Sequence, residues 1–195
     1  ITVTAAGNET GYSHHFFGTI GTDAEFEDAE LRVAEGETGF TLELWSQEPE
    51  LFSIGFLSPT GEQIGRIPNH TLTEQRITFV LENTVIYLNY QVAEADTGSQ
   101  LIVMRFVKPT PGIWRIRVYN SLYLRGEYHL WLPSKGFISD DTFFLRPSPD
   151  TVVTEPGNAS QTITAGAFNH RNGGIYIHSS RGYTRLRSEE RRVGK

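Results

Sequence analysis

The sequence predicts a mainly β protein: an antiparallel β-sandwich inserted into an α/β domain of which two pieces are present. Short stretches of alternating apolar and polar residues recur between about residues 24 and 145. Turn signatures separate them every 8–12 residues or so, a spacing typical of two packed antiparallel sheets. The two ends of the chain, rich in small residues, resemble each other more than either resembles the middle.

The first piece of the α/β domain is predicted from "ITVTAAGN", a strand that runs into a tight loop. Gly7 can adopt a positive φ, and small residues let another backbone come close. Asn8 then presents an amide donor at the carboxyl end of a strand, where open α/β sheets place their sites. An Asx-type turn is the alternative that these residues leave open. The N-terminus itself looks cut, so the absence of a visible leader means little.

The middle of the chain contains eight or nine predicted strands, each with one apolar face, as expected where two sheets share a core. Two strands show this alternation most clearly. Their apolar faces comprise Phe40, Leu42 and Leu44 in "GFTLELWS", and Trp114, Ile116 and Val118 in "GIWRIRVYN". Trp45 lies opposite the first apolar face, so it is a better candidate for a surface role than Trp114.

The pattern changes again after about residue 145, where short strands end in small residues as at the start. The predicted domains are 1–23 (core segment), 24–145 (inserted sandwich) and 146–186 (return to the core). The remaining residues, 187–195, read "RSEERRVGK" and share nothing with the preceding pattern. They resemble the translation of a sequencing adapter, so we exclude them from fold reasoning.

Composition excludes several classes of function. The net charge of −6 argues against nucleic acid or an anionic membrane as a partner. No apolar run is long enough to span a membrane. The absence of cysteine excludes disulfides and thiolate nucleophiles or metal sites.

The six histidines lack ligand spacing, and neighbouring side chains such as His14 and His15 point to opposite sides of an extended segment. We therefore predict no metal and no cofactor, and treat the histidines as structural or surface residues.

Short motifs in order along the chain resemble the subtilisin-like serine proteases. These motifs are "TAAGNETG", "TITAGAF" and "SSRGYT". The middle segments "FSIGFLSPTGE", "TPGIWRIRVYN", "GEYHLWLP" and "TFFLRPSPDTVVTEPGNA" resemble the spore-germination branch of that family. That branch carries a jelly-roll domain inserted after the oxyanion-hole asparagine. The resemblance covers residues 1–185 and implies an α/β subtilase core with an inserted jelly roll.

The resemblance also implies roles for four residues of the first loop. Asn8 matches the oxyanion-hole donor, which is the only catalytic residue expected in this chain. Ala5 and Gly7 match positions that flank the first specificity pocket, and Glu9 matches its rim, where a carboxylate favours basic substrates. The catalytic Asp, His and Ser would lie outside these 195 residues. The implied function is that of a bacterial serine endopeptidase acting on proteins or peptides, in which this piece alone is inactive.

Two alternatives remain open from the sequence. A pseudoprotease that has lost its catalytic residues would share every motif present here. The other alternative is a jelly-roll module that binds carbohydrate or protein. In that case Trp45, Trp114 and Trp131 would form a platform on which sugar rings stack, if these side chains are exposed. The sequence leaves the oligomeric state open.

Overall fold

A computed structural model describes residues 1–69, 73–122, 124–159 and 161–182, and strands dominate it. The strands are β1 (Thr2–Ala5), β2 (His15–Thr19), β3 (Phe26–Val33), β4 (Gly39–Ser46), β5 (Leu51–Leu57), β6 (Gln63–Ile67), β7 (Gln75–Phe79), β8 (Thr84–Gln91), β9 (Leu101–Val107), β10 (Gly112–Leu122), β11 (Glu127–Trp131), β12 (Phe143–Phe144) and β13 (Thr162–Ala165). A 3-10 turn, Thr10–Tyr12, is the one helical segment in the described part of the chain. No helix there is long and apolar enough to cross a membrane.

The chain divides into two compact units. One combines Ile1–His15 with Ser148–Lys195, of which residues 183–195 lie outside the described part, and the other is Phe16–Pro147. The proposed adapter residues, 187–195, and His70 also fall outside the described residues. The predicted domain boundaries, at 23/24 and 145/146, stay a prediction.

The Phe16–Pro147 unit contains two antiparallel sheets. Five strands form the first sheet, in the order β12-β3-β10-β5-β6, and six form the second, in the order β2-β11-β4-β9-β8-β7. Their inward side chains form one apolar cluster that draws on both sheets. The predicted apolar faces of β4 and β10 both lie in this cluster, and each of their six residues is buried.

Aromatic side chains fill the centre of this core. The Trp114 ring meets Phe79 edge-on at 4.9 Å and Phe106 at 5.6 Å between ring centroids. Its indole N–H is also satisfied, because Nε1 donates to the Thr110 carbonyl at 2.9 Å. Buried aromatic pairs prefer this edge-to-face geometry, so the contact stabilises the packing of the two sheets.

The outer face of the five-stranded sheet carries paired charges. Arg117 donates to both carboxylate oxygens of Asp28, at 2.8 and 2.9 Å, and Arg115 donates to Glu30 at 3.0 Å. The hydrogen bonds that Arg117 donates to Asp28 raise the pKa of the guanidinium. These cross-strand pairs between β10 and β3 form a solvated face of the kind that the alternation predicts.

The predicted α/β class is wrong. Among the described residues there is no α-helix, and almost all strand pairing is antiparallel. The two outer segments do pair in parallel, β1 with β13, but this pair has only two strands. The prediction inferred a whole α/β domain from strand ends that are rich in small residues. The sequence, however, contains no stretch with the apolar periodicity of an amphipathic helix.

Candidate functional site

The candidate site is the loop that follows β1, where the sequence analysis places Asn8. β1 and β13 pair with Val3 opposite Ile163 and Ala5 opposite Ala165. The pairing continues into the loop, because the Ala6 N–H donates to the Ala165 carbonyl at 2.9 Å. The loop therefore starts from a fixed backbone position.

Gly7 is required where it stands. Its φ is +95°, and a Cβ at this position would lie 2.3 Å from Oγ1 of Thr154. Both the backbone angle and the lack of space exclude a side chain. The Thr154 N–H donates to the Ala6 carbonyl at 3.0 Å, which holds this neighbour against the loop.

The peptide groups on both sides of Asn8 are hydrogen-bonded to Ser180. The Gly7 carbonyl accepts from the Ser180 N–H at 3.0 Å, and the Glu9 N–H donates to Ser180 Oγ at 2.8 Å. One residue further on, the Thr10 hydroxyl donates to the Ser179 carbonyl at 2.8 Å. Residues 179–180 thus hold the loop from a segment that lies about 170 positions later in the chain.

The side chains of Asn8 and Glu9 have opposite environments. Asn8 is exposed, whereas Glu9 is buried and its Oε2 lies 3.5 Å from Nδ1 of His14. The His14 side chain is itself only 5% exposed. The loop therefore presents the Asn8 amide to solvent and turns the neighbouring carboxylate inward.

Aromatic rings line the turn after the loop. The Tyr12 ring lies 5.9 Å from His14 and is stacked at 5.8 Å on His178. A Cβ at Gly11 would lie 2.4 Å from His178 Nδ1, so this position also lacks room for a side chain. No group of three or more His, Cys, Asp or Glu side chains in the described ranges could hold a metal ion.

The predicted site residues differ in how the structure presents them. Ala5 is exposed at the end of β1, Gly7 is half-buried and Asn8 is exposed, all on one short stretch. Glu9 is buried rather than solvated. Sequence reasoning missed the role of Ser180 in holding this stretch. Its motif, "SSRG", was visible, but a hydrogen bond between residues 171 positions apart leaves no sequence signal.

The tryptophans also separate by position. Trp114 is fully buried, as its face of β10 predicts, whereas Trp45 and Trp131 are half-buried on the outer face of the six-stranded sheet. Trp131 stacks on His129 with 13° between the ring planes. The Trp45 indole N–H donates to Glu43 at 2.9 Å.

Comparison with solved structures finds a similar protein. The structure of the Clostridium perfringens CspB protease matches with a TM-score of 0.81 and 27% sequence identity. The match covers 94% of this chain and 38% of that protease, so the chain spans less than two fifths of its length. The chain is related to a protease. No family model matches the sequence, and neither does any curated protein.

Proposed function

We propose that the chain is part of a longer subtilisin-like serine endopeptidase of the spore-germination type. Its catalytic Asp, His and Ser come from other parts of that protein, and the two antiparallel sheets are its inserted jelly roll. The observation that carries this proposal is the match to the CspB protease over 94% of the chain. The exposed amide of Asn8, on a loop whose backbone is fixed, supports the assignment of the oxyanion donor.

In this proposal Asn8 acts on the transition state. When the serine attacks the substrate carbonyl, the carbonyl oxygen gains negative charge, and a pre-positioned amide N–H stabilises that charge. The donor interacts more strongly with the transition state than with the substrate, so it raises turnover more than affinity. A fixed backbone on both sides of Asn8 reduces the reorganisation that such a donor would otherwise need.

We further propose that Ala5 and Gly7 flank the first specificity pocket and that Glu9 lies at its rim. At Gly7 the backbone itself would border the pocket, because Thr154 occupies the place where a side chain would stand. Only 11% of the Glu9 side chain is exposed, and its carboxylate faces His14. Because the carboxylate is turned away from solvent, we expect a weaker preference for basic substrates than a fully exposed carboxylate would give. Proteins or peptides are the proposed partners, without a metal or other cofactor.

The proposal is tested by labelling with a fluorophosphonate, which reacts with activated serine nucleophiles. The longer gene product that contains this chain is expected to be labelled and to hydrolyse a denatured protein substrate. The 195-residue chain alone is expected to do neither. Labelling of the isolated chain, or a folded longer protein that is not labelled, would contradict the proposal; the second result would favour the pseudoprotease.

A carbohydrate-binding module has less support. Sugar rings stack on the flat faces of exposed aromatic rings, whereas Trp131 and His129 turn their faces towards each other at 5.0 Å. Trp114 contributes nothing to such a platform, because it is fully buried.

A further inference from the structure

Ser180 is the residue through which the candidate loop is held. It is 5% exposed, and it bonds to two backbone groups: the carbonyl before Asn8 and the N–H after it. A residue's backbone angles are fixed when the peptide planes on both of its sides are fixed. The two bonds from Ser180 therefore fix the direction in which Cα of Asn8 projects its side chain.

Ser180 is itself firmly placed. The hydroxyl of Ser179 accepts from the Ala167 N–H at 2.9 Å, and the carbonyl of Arg181 accepts from the Val152 N–H at 3.1 Å. The residues before and after Ser180 are thus bonded to two different segments of the same unit. The hydroxyl of Ser180 acts as a fixed acceptor for the Glu9 N–H.

We infer that Ser180 is a positioning residue for the oxyanion donor. Its hydroxyl and its N–H set the backbone at Asn8 so that the amide projects towards the reacting carbonyl. This inference rests on the proposed function, because it assigns Ser180 an effect that is transmitted through Asn8. A displacement of about 1 Å at such a donor can lower turnover by about 100-fold.

The first test replaces the hydroxyl in the longer protease. Ser180→Ala is expected to lower kcat by about 10- to 100-fold with little change in KM, since the substrate carbonyl carries little charge before attack. Ser46→Ala is the matched control: it also removes a buried hydroxyl, but one that lies in the Phe16–Pro147 unit and donates to the Glu50 carbonyl instead of holding the loop. An equal loss of kcat in both variants would overturn the inference.

A double variant separates this inference from the proposed function. If Ser180 acts through Asn8, it has no donor to position once the Asn8 amide is removed. Adding Ser180→Ala to Asn8→Ala then causes no further loss of kcat. Independent, multiplying losses would overturn the role of Ser180 while leaving that of Asn8 intact. A lack of effect of Asn8→Ala alone would overturn the proposed function, and this inference with it.

A second measurement needs no activity. In the 195-residue chain, the Glu9 amide is expected to exchange its hydrogen at least about 10-fold more slowly than in Ser180→Ala, because the variant lacks the acceptor. Melting curves establish that both proteins are folded at the temperature used. Exchange of the wild-type Glu9 amide at the rate of an unstructured peptide would show that the hydrogen bond is not formed and would overturn the inference.

Discussion

At the scale of single residues, Trp114 contributes most to the core. It is the largest of the fully buried side chains, and it contacts two aromatic rings and a backbone carbonyl. Removing it leaves a cavity that the close-packed neighbours cannot fill. Alternation alone was sufficient to predict this part of the core, since Ile116 and Val118, on the same face of β10, are fully buried as well.

We expect Trp114→Ala to lower the free energy of unfolding of the Phe16–Pro147 unit by about 3–5 kcal/mol, the range for large aromatic truncations in cores. Denaturant unfolding followed by circular dichroism measures this loss. Trp45→Ala is the control, because that ring is half-buried on an outer face, and it should cost no more than about 1–2 kcal/mol. Equal losses in the two variants would contradict the placement of Trp114 at the centre of the core.

His15 is a buried base. Burial lowers its pKa to about 4, although hydrogen bonds to the backbone of Asp150 and Ser148 and the charge of Asp150 oppose the shift. In the unfolded chain a histidine titrates near 6.5. Between these two values the unfolded state binds more protons than the folded state. The contribution of His15 to stability is therefore present above pH 6.5 and is lost as the pH falls towards 4.

Between pH 7 and pH 4 this group should reduce the free energy of unfolding by about 3 kcal/mol, from a shift of about 2.5 pH units at 1.36 kcal/mol each. His15→Gln should remove this part of the pH dependence. Thermal melting across the pH range provides the measurement. An identical pH profile for wild type and His15→Gln would show that His15 is not buried as a neutral base.

At the scale of strands and turns, β5 shows the limits of pattern reading. The sequence predicts one buried face, with Phe52, Ile54 and Phe56, but Ser53 and Gly55 between them are buried as well. Arg66 covers Ser53 by donating to its hydroxyl at 2.7 Å. A Cβ at Gly55 would lie 2.8 Å from the Ile64 carbonyl, so the backbone of β6 occupies that side. This burial comes from a neighbouring strand with a shifted register, which no local alternation reveals.

The turn between β10 and β11 depends on a buried carboxylate. Glu50 is 5% exposed, and its Oε1 accepts from the N–H groups of both Arg125 and Gly126, the latter at 2.7 Å. Glu50 lies just before β5, so this contact ties the turn to another strand. Loss of the acceptor leaves two backbone donors unsatisfied in a mostly buried site.

We expect Glu50→Ala to destabilise the Phe16–Pro147 unit by about 1–3 kcal/mol, the cost of unsatisfied buried donors. Glu35→Ala, at an exposed position, serves as the control and should change stability by less than about 0.5 kcal/mol. Chemical denaturation of the two variants gives the comparison. A loss no larger for Glu50→Ala than for Glu35→Ala would mean that the carboxylate does not hold the turn.

At the scale of the whole molecule, the order of short motifs predicted the relation to a protease, and the strand spacing predicted two antiparallel sheets. The prediction of an α/β class was wrong because it rested on the two ends of the chain. These ends form one parallel pair of strands. The burial of Glu9 could not be predicted either, since its partner His14 lies beyond a turn whose geometry depends on a left-handed Ser13.

The central proposal is that Asn8 is the oxyanion donor of a serine endopeptidase, and steady-state kinetics of Asn8→Ala in the proposed longer protease test it most directly. Asn158→Ala is the matched control, since it truncates another exposed asparagine of the same unit. We expect kcat to fall by about 10²- to 10³-fold in Asn8→Ala only, with KM nearly unchanged; this magnitude comes from subtilisin itself. Full turnover in Asn8→Ala, or a change confined to KM, would contradict the proposal and make Asn8 a turn residue.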